Sequence, residues 1–335
     1  MLTDFRVAAL VAAALVGCGA GGRSPTDGST SSPTDAQTTF SQADGNNCPA
    51  IPNPAGSDAV IAAPYNMYYT AYDLGPPPGI PDPLGGTTVL ISDQNTLLIG
   101  GGSENATGAI YSIGVTRDAC HHIVGWNGTA TVVATTPYVD ANLVYVNHDL
   151  LLYTEWPEYK IAELAGAATT PSSETDLTAL GIVTTGDEGP GGLGIVPPGL
   201  AAAGEVRIVT WPAGNWYHVA TTSAPPTLAI NSIATTTAVP NQPGGFAYVP
   251  AGSPGFSTQA IIMAEWGSTN QVAVYDVDAS GDPMAGTRRP FFSMFPMPWG
   301  AYFEPVTGDY LFLSWGTGDD HVYLVTGFVP PPVIQ

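Results

Sequence analysis

Five short segments of this chain carry carboxylates, carboxamides and indoles in close succession. They are Ser103-Glu104-Asn105, Glu155-Trp156-Pro157-Glu158, Trp211-Pro212-Ala213-Gly214-Asn215-Trp216, Glu265-Trp266-Gly267-Ser268-Thr269-Asn270 and Trp315-Gly316-Thr317-Gly318-Asp319-Asp320. An indole face beside an oxygen acceptor suits a sugar or a cationic group. If the fold gathers these segments, the candidate ligand-binding residues are Glu104, Asn105, Glu155, Trp156, Trp211, Asn215, Glu265, Trp266, Asn270, Trp315, Asp319 and Asp320. The competing reading is that tryptophans recurring at one position pack between repeated units, while their polar neighbours cap solvated turns.

Other candidate chemistry is thinner. Asp276, Asp278, Ser280 and Asp282 imitate the start of an oxygen-ligand calcium loop, but Thr287 stands where such a loop needs a bidentate glutamate, and Asp-Ser-Gly is ordinary hairpin chemistry. Calcium is therefore the one cation considered, no cofactor is expected, and no residue is assigned as a metal ligand. Cys120-His121-His122 offers soft donors, yet adjacent strand residues point to opposite faces and no second Cys/His cluster completes four ligands. Of two G-x-G-x-x-G matches, the one at Gly17 sits in the N-terminal signal and the one at Gly189 precedes a strand instead of a helix N-terminus, and the only lysine, Lys160, belongs to no glycine-rich phosphate loop. No catalytic signature occurs, so catalytic residues are not assigned.

The elements that must position the five segments are β-strands. Trp156, Trp211, Trp266 and Trp315 close the look-alike strands LLLYTEW, EVRIVTW, AIIMAEW and DYLFLSW, which recur about every fifty residues and mark a repeat protein. Each repeat opens at a Pro/Gly punctuator: Pro83 to Gly86, a degenerate Pro137 to Asn142, Pro190-Gly191-Gly192, Pro243-Gly244-Gly245, and Pro298-Trp299-Gly300. An apolar strand, the strand ending at the rim segment, a third strand and a fourth then follow, as in TDLTALGI or RRPFFSMF. Four antiparallel strands per repeat make the blade of a β-propeller. The fifth repeat runs out after its third strand at Val329-Pro330-Pro331-Pro332. The aromatic segment Tyr65 to Tyr72 is the candidate donor of its missing strand, and that pairing would close the ring and remove two sheet edges. The expectation is an all-β propeller of five four-stranded blades closed by an N-terminal strand, with six blades as the alternative. In this topology the turns between second and third strands surround the mouth of the central channel, which brings the five segments to one rim.

The N-terminus reads as an export signal. Arg6 precedes the apolar run Val7–Val16, too short to span a bilayer as a mature helix. Leu15-Val16-Gly17-Cys18 is similar to a bacterial lipobox, which implies cleavage after residue 17 and lipidation of Cys18. Gly19 lacks the aspartate associated with inner-membrane retention, so the expected address is the outer membrane of a bacterial cell envelope. Residues 18–47 read as a Gly/Ser/Thr/Pro tether that cannot repay its ordering entropy, and 48–335 as the propeller domain. Cys48 and Cys120 can bridge in an oxidising compartment, which would stabilise by about 4 kcal/mol; two separately buried thiols are the alternative. A net charge of −21 repels nucleic acid and anionic lipid surfaces. The partners expected are therefore the membrane, through the anchor, and a carbohydrate, cationic ligand or protein.

The Gly-Gly-apolar strand starts, Phe303-Glu304-Pro305-Val306-Thr307-Gly308-Asp309 and Tyr275-Asp276-Val277-Asp278-Ala279-Ser280-Gly281-Asp282 resemble exported bacterial propellers of the NHL and gluconolactonase-like superfamily. The resemblance covers about residues 64–328 and implies the propeller fold. It also implies, as one alternative, a divalent cation in the central channel polarising a lactone carbonyl. The inner strands depart from that pattern, because Glu304 is the lone acid within one, with Asp93 and Asp149 near their far ends. The functional expectation is accordingly a surface- or periplasm-facing lipoprotein that acts as a binding or interaction module. A metal-dependent lactonase-like hydrolase is the alternative.

Overall fold

The computed structural model describes residues 51–267 and 271–332, so the lipobox, Cys18, the tether, Cys48 and Asn270 lie outside the described residues. Five antiparallel sheets succeed one another along the chain. Blade 1 comprises Leu84–Leu90, Asp93–Gly101, Ala109–Arg117 and Ile123–Thr135, and blade 2 comprises Val139–Asn147, Leu150–Glu155, Lys160–Ala165 and Ser173–Asp176. Blade 3 comprises Gly189–Ile195, Val206–Trp211, Asn215–Ala224 and Thr227–Ala238. Blade 4 is built from Pro243–Tyr248, Ala260–Glu265, Gln271–Asp276 and Arg289–Met294, and blade 5 from Pro298–Phe303, Tyr310–Ser314 and Val322–Thr326. Each first strand contacts the first strands of the two neighbouring blades, and blade 5 returns to blade 1. The fold is a five-bladed β-propeller.

The strands are apolar on both faces because both faces are buried. Side chains alternate along a strand, so Ile262 and Ala264 enter the seam between blades 4 and 5 while Ile261 and Met263 enter the seam between blades 3 and 4. One buried cluster fills each of the five seams. The seam that closes the ring joins Leu84, Leu97 and Ile99 of blade 1 to Leu311, Leu313 and Leu324 of blade 5.

An N-terminal strand supplies the missing fourth member of blade 5, but not with the expected bounds. Thr70–Asp73 pairs antiparallel with Val322–Thr326, setting Thr70 opposite Thr326 and Asp73 opposite Tyr323. The first half of the Tyr65 to Tyr72 segment is instead a 3-10 turn, Tyr65–Met67, which buries Tyr65 and Tyr69 and leaves Met67 and Tyr68 exposed. Aromatic residues suit either state, and the seam between blades 4 and 5 selects the turn: Tyr69 stacks on Phe328 at 4.1 Å and Tyr65 packs on Phe291 at 5.2 Å. A further short strand, Val60–Ile61, pairs with Arg289–Met294 and gives blade 4 a fifth strand. In blade 2, TDLTALGI is not one outer strand. Pairing stops at Asp176, whose carboxylate accepts Thr178 N at 2.8 Å and starts a 3-10 turn over Leu177–Leu180.

The Pro/Gly punctuators are also more than loops. They form the first residues of the inner strands, and each carries a bulge against the second strand. A Cβ on Gly300 would stand 2.5 Å from Gly85 O, and one on Gly86 would stand 2.6 Å from Asn142 Cα. Side chains are excluded because the inner strands of five blades meet backbone to backbone around the axis.

Candidate functional site

One side chain from each blade reaches the channel mouth. Glu104 of blade 1, Trp156 of blade 2, Trp211 of blade 3, Trp266 of blade 4 and Trp315 of blade 5, with Trp299 from the inner strand of blade 5, line a cavity of about 70 Å³. Five of the chain's seven tryptophans therefore face one space. Their rings meet mostly edge to face: Trp156 and Trp211 at 6.0 Å, Trp266 and Trp315 at 5.0 Å, Trp266 and Trp299 at 5.8 Å. That geometry is favoured by the aromatic quadrupole. Trp299 is buried, while the other four remain half-buried, so mutual packing does not exhaust their surface.

The backbone fixes these rings. Trp156 N donates to Tyr138 O at 3.0 Å, Trp266 N to Gln242 O at 2.9 Å and Trp315 N to Met297 O at 3.0 Å. Each acceptor residue sits just before or near the start of its blade's inner strand with positive φ, at 61°, 56° and 44°. Three non-glycine residues in this sparsely populated region are a repeated local strain, and in each case the strained carbonyl is the one that holds a rim tryptophan. Glu104 itself has φ 61° and donates its N–H to Val139 O at 3.1 Å.

Among the described residues Glu104 is the one titratable side chain on the cavity wall. Burial holds its carboxyl up to about 8, a hydrogen bond with Asp140 draws it down, and negative charge on Glu188 adds to the rise. Asp140, fully buried behind it, is also raised, by burial first and by Glu104 second. Asp140 Oδ1 accepts Trp299 Nε1 at 2.7 Å. The two carboxyls therefore titrate together and retain a proton at neutral pH.

Among the described residues, the remaining rim candidates do not line the cavity. Asn105 is exposed and donates to Ser103 O at 2.8 Å. Asn215 Nδ2 donates to Asp187 Oδ2 at 2.6 Å, and the same carboxylate accepts Thr210 Oγ1 at 2.6 Å. Glu155 is buried with Oε2 3.7 Å from Lys160 Nζ, and burial, followed by Glu174, raises it to about 7. Glu265 is buried and accepts from Arg288 Nε at 3.0 Å, from Arg288 Nη2 and from Tyr275 OH. Asp320 accepts Leu84 N at 3.1 Å and Gly316 N at 3.0 Å, while the exposed Asp319 lies 3.6 Å from His321. These carboxylates and amides hold turns and seams. Two residues of the site were missed from sequence, Trp299 and Asp140. Both lie in punctuators taken as turns, and the signal available was the replacement of a recurring glycine by an indole in Pro298-Trp299-Gly300.

The axis itself is filled. Blade 2 carries one residue more in its inner-strand bulge, since Val139 to Leu143 spans Glu155 to Tyr153 where Pro243 to Phe246 spans Glu265 to Met263. The longer bulge delivers Asn142 to the centre. Its Nδ2 donates to Ala301 O at 3.0 Å and Phe246 O at 3.2 Å, and its Oδ1 accepts Leu193 N at 3.1 Å and Phe246 N at 3.2 Å. That carboxamide oxygen has no lone pair left for a cation. Glu304 is committed to Arg117, at 3.2 Å, and to the amides of Val306 and Thr307. Asp93 caps its own turn through Asn95 N at 3.0 Å, and Asp149 is an exposed turn residue. The residues along the bore thus do not fit the divalent cation that the resemblance implies. The calcium-like loop is likewise engaged: Asp278 Oδ1 accepts Ser280 N at 2.8 Å and Asp282 N at 3.0 Å, and Asp282 pairs with Arg207 Nε at 3.2 Å. Among the described residues no three His, Cys, Asp or Glu side chains converge as a metal-ligand group. Cys120 is disulfide-bonded, and His122 turns to Asp309 Oδ1 at 2.8 Å.

No family model matches this sequence, and no curated protein matches it. Solved structures do. A fructofuranosidase from Schwanniomyces occidentalis complexed with fructosylnystose is 11% identical over 76% of this chain and 57% of that one, with a TM-score of 0.47. A gluconolactonase from Xanthomonas campestris is 12% identical over 85% of this chain and 98% of that one, at 0.44. The BP39L lectin from Burkholderia pseudomallei is 10% identical over 79% and 71%, at 0.32. This chain spans little more than half of the fructofuranosidase's length. Similarities of this strength assign neither ligand nor reaction.

Proposed function

We propose that this chain is a binding or interaction module of a bacterial cell envelope, exported and anchored through lipid on Cys18, whose ligand enters the tryptophan-lined mouth of the propeller. One observation carries the reading: the end of the second strand, or the turn after it, delivers a side chain from each of the five blades to a single cavity, a tryptophan in four of them and Glu104 in blade 1. A rim that served packing alone would bury its indoles completely, and four of them are half-buried. The metal-dependent hydrolase is the weaker reading, because Asn142 occupies the axis and uses its carboxamide on backbone groups.

Intrinsic tryptophan fluorescence tests it. The protein is titrated with three small probes of different chemistry: choline, 3,3-dimethylbutan-1-ol and methyl glucoside. A saturable change with at least one of them, lost in Trp211→Ala at unchanged Tm, supports a binding role. Flat titrations with all three overturn the mouth as a small-ligand site.

A further inference from the structure

We propose that the tryptophan-lined mouth takes a quaternary ammonium group. The proposal rests on reading that cavity as the binding site and names the ligand chemistry that its walls select. Five indoles surround about 70 Å³, and the surface they present is almost wholly carbon. The face of an indole is the negative end of its quadrupole, and it attracts a cation most when both are out of water. A monosaccharide would need hydrogen-bond partners around its ring, and Glu104 is the one carboxyl on the wall. A primary ammonium would bring three N–H donors into the same shortage of acceptors. Methyl groups on nitrogen need no acceptor, match indole carbon and still present positive charge to the ring faces.

Charge points the same way. Among the described residues no lysine or arginine lines the cavity, and the exposed Glu188 acts on Glu104 from the start of blade 3. The whole chain carries −21, which favours arrival of a cation. A ligand that also carries a carboxylate, such as glycine betaine, would be opposed by the negative charge of Glu188 near the mouth, and by Glu104 once it ionises, so the charge favours choline-type cations over zwitterions.

The experiment compares choline with its uncharged isostere 3,3-dimethylbutan-1-ol and with glycine betaine, by fluorescence and calorimetry on the full chain. Choline is expected to bind at least about tenfold more tightly than either. Glu104→Gln keeps the side-chain shape, and at pH 9, where Glu104 is ionised, is expected to weaken choline about tenfold while leaving the isostere unchanged. Choline affinity is expected to rise between pH 6 and 9 as Glu104 ionises, with the isostere flat. Should Glu104→Gln melt early, Trp156→Phe is expected to retain choline and Trp156→Leu to lose it. Co-sedimentation with phosphatidylcholine vesicles then separates a lipid headgroup from a free solute, and either source upholds the ammonium. Equal affinity for choline and its isostere, or saturation by methyl glucoside alone, overturns the ammonium while leaving the mouth as a binding site. No saturation by any probe overturns both.

Discussion

The indole of Trp299 donates to Asp140 Oδ1 at 2.7 Å, and through that bond the inner strand of blade 5 is tied to the bulge of blade 2, directly behind Glu104. Asp140→Ala leaves the buried indole N–H without an acceptor and is expected to cost about 1–3 kcal/mol. Asp140→Asn retains an acceptor and should cost less. Asp140→Ala also removes the side-chain hydrogen bond that favours the charged form of Glu104, so Glu104 should titrate higher in it. Thermal melts and a pH titration of the Glu104 carboxyl by NMR check the two halves separately.

Asn142 concentrates four backbone hydrogen bonds at the axis. Asn142→Ala should destabilise the whole ring by about 3 kcal/mol or more, because several buried polar groups lose partners at once. Asn142→Asp should be worse, since its charge would face two carbonyls. Denaturant unfolding is the readout. A loss confined to one blade, seen as a separate transition, would contradict the role of Asn142 as a tie between blades.

Ring closure depends on the N-terminal segment. Tyr69 is 4% exposed and stacks on Phe328, so Tyr69→Ala should cost about 3–5 kcal/mol through lost burial and the cavity left behind. Tyr68→Ala, at an exposed neighbour, should cost under about 0.5 kcal/mol. Equal shifts in Tm for the two would sink the closure argument.

Stability should fall as pH rises from 6 to 9. The hydrogen bond to Asp309 raises His122, and burial raises Asp309, Glu104 and Asp140. A group whose folded pKa lies above its unfolded value contributes stability below the unfolded value and loses it as pH passes the folded one. All four act in this direction. For His122 the window opens near 6.5 and for Glu104 it closes near 8. Tm measured at pH 6 and 9 should differ more in the parent than in His122→Gln or Glu104→Gln.

Cys18→Ala should leave the chain unlipidated, and it should move from the detergent phase to the aqueous phase on phase partitioning. Retention in detergent would remove the anchor from the proposed function.

The repeat, the strand order and the blade position of the rim residues are legible in the linear chain because they are local. A strand's alternation needs about six residues, and a recurring tryptophan needs only a fixed period. That information also placed Trp156, Trp211, Trp266, Trp315 and Glu104 on one rim, where the fold has them. What the chain does not announce is which polar residues remain free. Glu265 and Asp320 look like Glu104 in sequence, yet one is occupied by Arg288 and the other by backbone amides of Leu84 and Gly316. The filling of the axis is equally silent. Asn142 meets Phe246 and Ala301 across separations of 104 and 159 residues, and a single extra residue in one bulge brings it there. Seam packing decides between turn and strand at Tyr65, as partner availability decides between binding and structural carboxylates. Both are settled by contacts between blades, which have no local pattern to betray them.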